Sequence, residues 1–331
     1  MSETPSPEAT PDTAGDTDDD PVDSGLVEAF GNRVRKRYRH LKKWAKRGGV
    51  TCYRVYEADL PEVPLIVDLY EGRLHIAEWV KKQPLPQAML AALITAASEA
   101  LGVGEALVFH KQRDRQRGKR QYERVSTDEC KFPVHEGGHQ FWVNLSDYVD
   151  TGLFLDHRAT RAMVQAESAG KDVLNLFAYT GTFTVYAAAG GAKSTTTVDL
   201  SGTYLDWAAE NFELNGMEDG SHVIVRADVL RWLTEATPES YDLVVLDPPT
   251  FSNSKKMRDV LDIQRDHRAL LVNVARVTRP GGVVYFSTNF RRFKPDEDAF
   301  LSYSTAVEIT QQTLPEDFRN KRIHRCWRLV R

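Results

Sequence analysis

The chain has 331 residues, of which 41% are hydrophobic, and it carries a formal net charge of −4. This length holds two domains with a sizeable core. No apolar run approaches the roughly 18 residues of a membrane span. The N-terminus lacks the apolar stretch of a secretory signal, and the three scattered cysteines form neither a CxxC pair nor a metal-ligand spacing. The sequence therefore predicts a reduced, cytoplasmic protein without a membrane span or a bound metal.

The net charge conceals three segments of different sign. Residues 1–24 carry eight acids and no base, residues 25–130 carry 20 Lys and Arg against 13 Asp and Glu, and residues 131–331 carry 23 against 26. The first segment has almost no large apolar residues and is predicted to be a disordered acidic tail. The positive middle segment indicates a polyanionic partner.

Residues 32–47 predict an amphipathic helix with a cationic face, with Asn32 as its N-cap. The apolar side chains at helical spacing are Val34, Tyr38, Leu41 and Ala45. The cations, with no acid among them, are Arg33, Arg35, Lys36, Arg37, Arg39, Lys42, Lys43, Lys46 and Arg47. Helix-stabilising pairs would use both signs, so this face is predicted to contact phosphates. A membrane surface is the alternative, and the modest apolar stripe disfavours it.

A small α+β module is predicted between residues 50 and 146. Its candidate elements are strands 52–56, 65–70, 74–80 and 106–110, helix 87–101 and a hairpin formed by 131–135 and 140–145. A second basic stretch, predicted as a loop along a nucleic-acid backbone, contains Lys111, Arg113, Arg115, Arg117, Lys119, Arg120 and Arg124. The predicted domains are the tail 1–24, the RNA-binding module with its basic helix 25–146, and a third domain 147–331.

From Thr151 onward, strand and helix signals alternate, which predicts a Rossmann-like α/β domain with a mostly parallel sheet. The candidate strands are 172–177, 194–199, 222–226, 241–246, 283–288 and 323–330. The candidate helices are 183–189, 201–214, 228–236, 261–277 and 295–310.

The strand at 241–246 leads directly into the sequence Asp247-Pro248-Pro249-Thr250-Phe251. Prolines end a strand ladder because proline lacks an N–H. A stiff loop is therefore predicted at the carboxyl end of a buried strand, where open α/β sheets bind ligands. Taken alone, Asp-Pro-Pro fits an ordinary turn equally well.

Three consecutive strands carry an aspartate at or just after their carboxyl ends, namely Asp199, Asp228 and Asp247. The turn after the preceding strand holds only Gly181 and not the G-x-G-x-x-G pattern that binds a pyrophosphate. Each acid alone fits a helix N-cap, Asp228 especially. Together they predict a site for a nucleoside cofactor without a pyrophosphate, with Asp199 at the spacing of a ribose-binding acid.

These motifs resemble those of class I S-adenosylmethionine (SAM) methyltransferases, and most closely the RlmK half of the bifunctional 23S rRNA methyltransferases K/L. The resemblance covers about residues 31–331. Its motifs are NR (32–33), HL (40–41), KWAKR (43–47), CYRVYEADLP (52–61), DTGLFLDHR (150–158), NLF (175–177), YTG (179–181), STTTVD (194–199), DPPTFSNSK (247–255) and QRDH (264–267). It implies a seven-stranded, mostly parallel sheet, SAM as the cofactor, and N7 methylation of a guanine in 23S rRNA or its assembly precursor. The partner half of that family has no counterpart in this sequence.

The resemblance also implies site residues. The cofactor-binding residues are expected to be Asp156, Arg158, Asn175, Phe177, Tyr179, Thr180, Gly181, Asp199, Ser201, Asp228 and Asp247. Of these, Asp156 and Arg158 are expected at the methionine end, Asp199 at the ribose and Asp228 at the adenine. The catalytic residues are expected to be Asp247, Pro248, Pro249, Thr250 and Phe251. The charge pattern, rather than the resemblance, predicts the RNA-binding residues, which are Arg33, Arg35, Lys36, Arg39, Lys43, Lys46, Arg113, Arg115, Arg117, Lys119 and Arg120.

The residues themselves favour methylation of a nitrogen. Methylation of C5 in a pyrimidine requires a cysteine nucleophile, and no cysteine lies between residues 131 and 325. Guanine N7 has a lone pair and needs no general base, so alignment with the methyl group and exclusion of water suffice. Asp247 is then a candidate to stabilise the developing cation.

Alternatives remain open at this point. The closest alternative is methylation of an exocyclic amine of guanine or adenine. Methyltransferases that act on exocyclic amines usually place an aromatic residue directly after the two prolines, whereas here Thr250 precedes Phe251. Phe251 fits either a base-stacking residue or a loop anchor. A non-catalytic rRNA-binding assembly factor, with unknown assembly or helicase partners, is the alternative of another class. The glycine pattern disfavours an NAD enzyme.

Overall fold

The computed structural model describes residues 22–79, 83–113, 131–148, 150–217, 220–252 and 260–331. Its helices are α1 (Ser24–Gly48), α2 (Gln87–Leu101), α3 (Arg158–Glu167), α4 (Thr182–Ala189), α5 (Gly202–Leu214), α6 (Val229–Glu235), α7 (Ile263–Val277) and α8 (Thr310–Thr313). Its strands are β1 (Cys52–Glu57), β2 (Leu65–Tyr70), β3 (Arg73–Trp79), β4 (Val108–Arg113), β5 (Lys131–Glu136), β6 (His139–Asn144), β7 (Asp172–Leu176), β8 (Ser194–Asp199), β9 (His222–Arg226), β10 (Tyr241–Leu246), β11 (Phe251–Ser252), β12 (Leu261–Asp262), β13 (Thr278–Thr288), β14 (Thr305–Glu308) and β15 (Arg325–Val330).

The N-terminal module, which spans residues 22–113, packs α1 and α2 on a four-stranded sheet in the order β1-β2-β3-β4. Its core includes Val34 and Leu41 from α1 and Leu93 from α2, which meet Val67 and Ile76 of the sheet. This part of the predicted α+β module is confirmed. Residues 1–21 of the predicted acidic tail lie outside the described residues.

Helix α1 begins earlier than the sequence indicated. Its N-cap is Asp23, whose carboxylate accepts a hydrogen bond from the backbone N–H of Leu26 at 3.0 Å. The prediction of Asn32 as N-cap is wrong, and its side chain instead accepts from Arg35 within the helix. The apolar stripe continues through Phe30 into the earlier turns, so tertiary packing extends the helix toward the N-terminus.

The second domain is a three-layer α/β structure around a seven-stranded sheet in the order β14-β15-β13-β10-β7-β8-β9. Strands β9, β8, β7, β10 and β13 run parallel, while β15 pairs antiparallel with both β13 and β14. Helices α6 and α7 cover one face, and α3 and α4 cover the other. The central strands are therefore buried on both sides, which explains their continuous apolar sequences. The predicted mostly parallel sheet is confirmed.

The predicted helix at 295–310 is wrong. A 3₁₀ turn occupies Glu297–Phe300, and residues 305–308 form the edge strand β14. This strand forms a ladder with β15 from Thr305↔Val330 to Glu308↔Trp327. Pairing with a neighbouring strand overrides the local helical pattern, which is a common outcome for short segments.

Two features connect the module to the sheet domain. The β5–β6 hairpin packs Val134 and Phe141 against Tyr186 of α4 and Phe212 of α5. The C-terminal clasp, defined as residues 315–324, reaches back to the module. There the Asp317 carboxylate accepts from the Arg54 backbone N–H at 2.9 Å, and further contacts join Glu316 to His40, Arg319 to Asp59 and Asn320 to Glu57.

Among the residues that the structure describes, no helix combines the length and the apolar character needed to cross a bilayer.

Candidate active site

The strand registers bring the predicted site residues to one edge of the sheet. Leu246 pairs with Leu176, Leu176 pairs with Val198, and Asp199 pairs with Arg226. Because these strands are parallel, Asp247, the turn after β7, Asp199 and Asp228 all leave the sheet at its carboxyl edge. This is the edge at which open α/β sheets bind ligands.

The turn between β7 and α4 has an unusual backbone. Phe177, Tyr179 and Gly181 have φ angles of 55°, 52° and 72°, which L side chains rarely adopt. Tyr179 is fixed from both ends, since its N–H donates to Asp199 at 3.0 Å and its hydroxyl accepts from the Gly152 N–H at 2.9 Å. Strained turns of this kind cluster at ligand sites because surrounding contacts maintain them.

Gly181→Ala is expected to destabilise this turn. A Cβ at position 181 would lie 2.9 Å from both Ala208 and Phe212, in addition to the strain of its φ of 72°. We expect the free energy of unfolding to fall by about 2–4 kcal/mol, from left-handed strain and overpacking together. Urea denaturation measures it, with Gly170→Ala as the control, because Gly170 has a φ of 70° with nothing within 4 Å. Equal losses in the two variants would contradict the packing contribution.

Asp199 and Asp228 both hold backbone amides. Asp199 accepts from the N–H groups of Tyr179 and Ser201 at 3.0 and 2.8 Å, and burial raises its pKa although these donors oppose the shift. Ser201 is the N-cap of α5. Asp228 is the N-cap of α6, accepting from Leu230 at 3.0 Å, so the simpler structural role is present. Ribose and adenine binding by these acids stay predictions.

Two predicted cradle residues face the protein interior. Asn175 is buried, and its amide donates to Thr184 of α4 at 3.0 Å. Thr180 is fully buried, and its hydroxyl donates to the Gly152 carbonyl at 2.6 Å. Their observed contacts support the turn between β7 and α4, and cofactor binding by Asn175 and Thr180 stays a prediction.

The Asp247 loop is fixed by three neighbouring elements. Ser287 of β13 donates its hydroxyl to Asp247 Oδ1 at 2.5 Å. Thr250 donates its hydroxyl to Asn289 at 2.5 Å, and its carbonyl accepts from the Ile263 N–H at the start of α7. Pro248 and Pro249 lie between these anchors. Phe251 begins the short β11–β12 pair and is 51% exposed, so its ring is accessible to a base.

Two histidines that sequence reasoning did not single out lie close to the site: His157 is adjacent to Asp247, and His324 contacts Asp156 and stacks on His157. His157 Nε2 is 3.4 Å from Asp247 Oδ2 and 3.8 Å from Asp156 Oδ2. His324 Nδ1 is 2.9 Å from the same Asp156 oxygen. The two imidazoles stack with centroids 4.6 Å apart and planes inclined by 12°. His157 lies inside the DTGLFLDHR motif, which could have drawn attention to it. Nothing in the sequence indicates that His324 lies beside His157.

Asp156, His157 and His324 form the one His/Asp cluster with metal-ligand spacing among the described residues, with ligand atoms within 4.8 Å of one another. Imidazole binds a metal through an in-plane lone pair, so two ligating rings must have planes that meet at the ion. The nearly parallel planes of His157 and His324 do not meet this requirement. The absence of a metal stays a prediction, and the contacts observed here are those of a hydrogen-bonded cluster.

Arg158 joins the two domains. Its guanidinium contacts Asp317 at 3.0 Å, Glu136 at 3.3 Å and the Cys52 carbonyl at 2.6 Å. These acceptors surround the group with protein partners. Its expected place at the methionine end of the cofactor therefore stays a prediction, while its observed role is to connect β1, β5 and the clasp.

Cys326 lies closer to Asp247 than its sequence position indicated. It pairs with Ser287 across β13 and β15, yet it is fully buried, and burial raises its pKa well above the usual range. Burial raises the pKa of Cys52 in the same way. A thiol must ionise to act as a nucleophile, so neither of these cysteines suits C5 chemistry. Cys130 lies outside the described residues.

The cationic face of α1 is accessible. Arg35, Lys36, Arg39, Lys43 and Lys46 are exposed, while Arg33 is half-buried. The predicted residues Arg115, Arg117, Lys119 and Arg120 lie outside the described residues, as does the side chain of Arg113. Lys111 belongs to β4 rather than to a loop, and its ammonium donates to the Tyr148 carbonyl inside the protein.

The QRDH motif has a structural role. Gln264 exchanges two hydrogen bonds of 2.8 Å with the backbone of Lys294. His267 is buried, and its Nε2 accepts from the Asp296 N–H at 2.9 Å. The motif thus ties α7 to the loop after β13, which carries Asn289 against Thr250.

The arrangement fits a nucleoside cofactor that carries no pyrophosphate. Asp199, the acid predicted to bind the ribose, ends β8 beside a turn with a single glycine, and a second carboxylate, Asp228, follows β9. The multi-glycine turn that admits a pyrophosphate is absent from this corner.

Comparisons with known proteins agree with this geometry. Residues 57–322 match the S-adenosylmethionine-dependent methyltransferase family model. The chain is 48% identical over 309 residues to ribosomal RNA large subunit methyltransferase K of Neisseria meningitidis, over 92% of this chain and 87% of that protein. It is 51% identical over 308 residues to methyltransferase K/L of Pseudomonas putida, over 92% of this chain but only 42% of that protein, and so spans less than half of that relative.

A solved methyltransferase complexed with SAH has the same fold. The TM-score is 0.75 at 23% identity, over 92% of this chain and 82% of that one. The likeness covers both the N-terminal module and the sheet domain.

Proposed function

Because the chain belongs to the S-adenosylmethionine-dependent methyltransferase family, we propose that it methylates N7 of a guanine in 23S rRNA or its assembly precursor. The substrate class is supported by relatives that are named ribosomal RNA large subunit methyltransferases and by the exposed cations of α1. The reaction then takes place in the cytoplasm, where large-subunit rRNA is assembled.

The observation that carries the proposal is the surroundings of Asp247, here called the Asp247 centre, which consists of Asp247, Ser287 and His157. A carboxylate, held by Ser287 at Oδ1 and adjacent to His157 at Oδ2, lies at the carboxyl edge of the sheet. The two described cysteines are buried thiols. This arrangement provides negative charge without a nucleophile, which suits a nitrogen that becomes cationic as it is methylated.

The cofactor supplies an electrophilic methyl group on a sulfonium. The residues of this chain orient the reactants. The turn at 177–181 and Asp199 hold the nucleoside, and the Pro248-Pro249 loop limits the movement of the target base. Phe251 offers an exposed ring on which an extruded base stacks. Asp247 stabilises the positive charge that spreads over the guanine ring.

Mass spectrometry of 23S rRNA tests the proposal. Digested rRNA from a strain that lacks this protein is expected to have lost one 7-methylguanosine, and re-expression is expected to restore it. Loss of N2-methylguanosine or N6-methyladenosine instead would assign an exocyclic amine. Calorimetry that finds no SAM binding to the purified chain would favour an RNA-binding assembly factor over an enzyme.

A further inference from the structure

Three clustered side chains, of which His157 contacts Asp247, have no part in the steps described above. The side chains of Asp156, His157 and His324 are 15%, 7% and 0% exposed. Asp156 and His157 precede α3, whereas His324 ends the C-terminal clasp. The fold thus brings together residues that are 168 positions apart in the chain.

His324 contacts partners through both of its ring nitrogens. Nε2 lies 2.9 Å from the Thr313 hydroxyl, which is also 3.0 Å from the Thr310 carbonyl. Nδ1 lies 2.9 Å from Asp156 Oδ2. These contacts fix the ring of His324 and the carboxylate of Asp156 on either side of His157.

His157 is held as a neutral imidazole. Its ring stacks on His324 and packs edge-on against Phe183, with centroids 5.6 Å apart. Burial lowers the pKa of His157, and the positive charges of His324 and Arg161 act in the same direction, while Asp247 and Asp156 oppose them.

The tautomer of His157 follows from its surroundings. Nδ1 is buried without a hydrogen-bond partner, whereas Nε2 faces Asp247 and Asp156. A buried N–H without an acceptor costs more than a buried lone pair beside carbon atoms. The proton therefore lies on Nε2, directed at the two carboxylates.

We propose that His157 is a positioning residue that donates its Nε2–H to Asp247 and thereby fixes the plane of that carboxylate beside the target base. The inference rests on the proposed function. Ser287 donates to Oδ1 at 2.5 Å and His157 Nε2 lies 3.4 Å from Oδ2, so donors on two different elements face the two oxygens of Asp247. The separation of 3.4 Å is longer than a full hydrogen bond, and a small rotation of the imidazole closes it when substrate fills the pocket.

This arrangement makes turnover sensitive to acid. The groups that face His157 are Asp156, Asp247, His324 and Arg161. Because the pKa of His157 is lowered, the imidazole is neutral at and above its ordinary value near 6.5 and gains a proton only as the pH falls below it. The imidazolium offsets the negative charge of Asp247, so kcat is expected to be full above this range and to be lost toward acid.

Two variants of His157 separate positioning from folding. His157→Phe keeps a ring for the stack but removes the donor, while His157→Gln places an amide N–H near the position of Nε2. His157→Phe is expected to lower kcat by about 30- to 100-fold, with the SAM Kd and the rRNA KM within about threefold. The kcat of His157→Gln is expected to stay within about fivefold of the parent value. The loss of kcat toward acid pH that is attributed to His157 is expected to disappear in this variant, because an amide does not titrate in this range. Ser287→Ala, which removes the other donor, is the matched comparison and is expected to lower kcat by a similar factor.

The outcomes are decisive in both directions. Equal losses of kcat in His157→Phe and His157→Gln, a loss confined to the SAM Kd, or an unchanged loss of kcat toward acid pH in His157→Gln would overturn the proposal. The parent protein reports on the proposed function by itself: if it methylates another nitrogen, the same comparison of variants still decides the role of His157. A parent that methylates no RNA would overturn both.

Discussion

Asp247→Asn is expected to lower kcat by about 100- to 1,000-fold, the size of effect seen when one preorganised electrostatic group is removed. The amide keeps the volume of the carboxylate but loses the negative charge that stabilises a cationic guanine. It also places N–H donors where Ser287 and His157 now direct theirs. Single-turnover methylation of 23S rRNA measures the chemical step, and calorimetry is expected to show a SAM Kd within about threefold of the parent.

Asp199→Asn is the matched control because it removes the same charge from the end of β8, which is separated from β10 by β7 alone. Its loss is expected in the SAM Kd, since Asp199 lies at the predicted ribose position and holds the N–H groups of Tyr179 and Ser201. An Asp247→Asn protein with unchanged turnover, or with a loss explained wholly by weaker SAM binding, would remove Asp247 from the chemistry.

Reversing Arg35, Arg39 and Lys43 to Glu is expected to weaken rRNA binding by about 100-fold or more at moderate salt. All three are exposed on one face of α1, and each phosphate contact contributes about 0.7 to 0.9 to the slope of log K against log salt. Loss of three contacts therefore reduces that slope by about 2 to 3. Filter binding or fluorescence anisotropy across a salt series measures both quantities.

The control for α1 reverses exposed cations of the sheet domain, Lys193 and Arg231. They lie near Asp172 and Glu235 and have no predicted RNA contact. Their reversal is expected to leave the slope within about 0.5 of the parent. If the α1 variant and the control have the same slope, the cationic face of α1 does not contact the RNA backbone.

The sequence predicted three of the parallel strands closely. β8, β9 and β10 begin and end where their β-branched or apolar runs and the acids that end or follow them indicated. Of the three, β10 is buried along its last four residues, as expected for a strand covered on both faces. The edge strand β14 was not predicted. All four of its residues are exposed, so no apolar pattern marks them as a strand. Only its pairing with β15 forms it.

The carboxyl-edge acids could also be predicted, since parallel strands bring their ends together. His324 could not, because its place beside Asp156 depends on how the C-terminal clasp runs from the N-terminal module back to the sheet. The surroundings of Arg158 could not be predicted either. Its motif indicated a place at the methionine end of the cofactor, whereas in the structure it contacts Asp317, Glu136 and the Cys52 carbonyl. None of these residues is near Arg158 in the sequence.

The central claim is methyl transfer to guanine N7 at the Asp247 centre. It is tested most directly by incubating the purified chain with labelled SAM and 23S rRNA from a strain that lacks this protein, followed by nuclease digestion and mass spectrometry. We expect the label in 7-methylguanosine with the parent protein, and a 100- to 1,000-fold slower transfer with Asp247→Asn. Label in N2-methylguanosine, N6-methyladenosine or a C5-methylated pyrimidine would contradict the account.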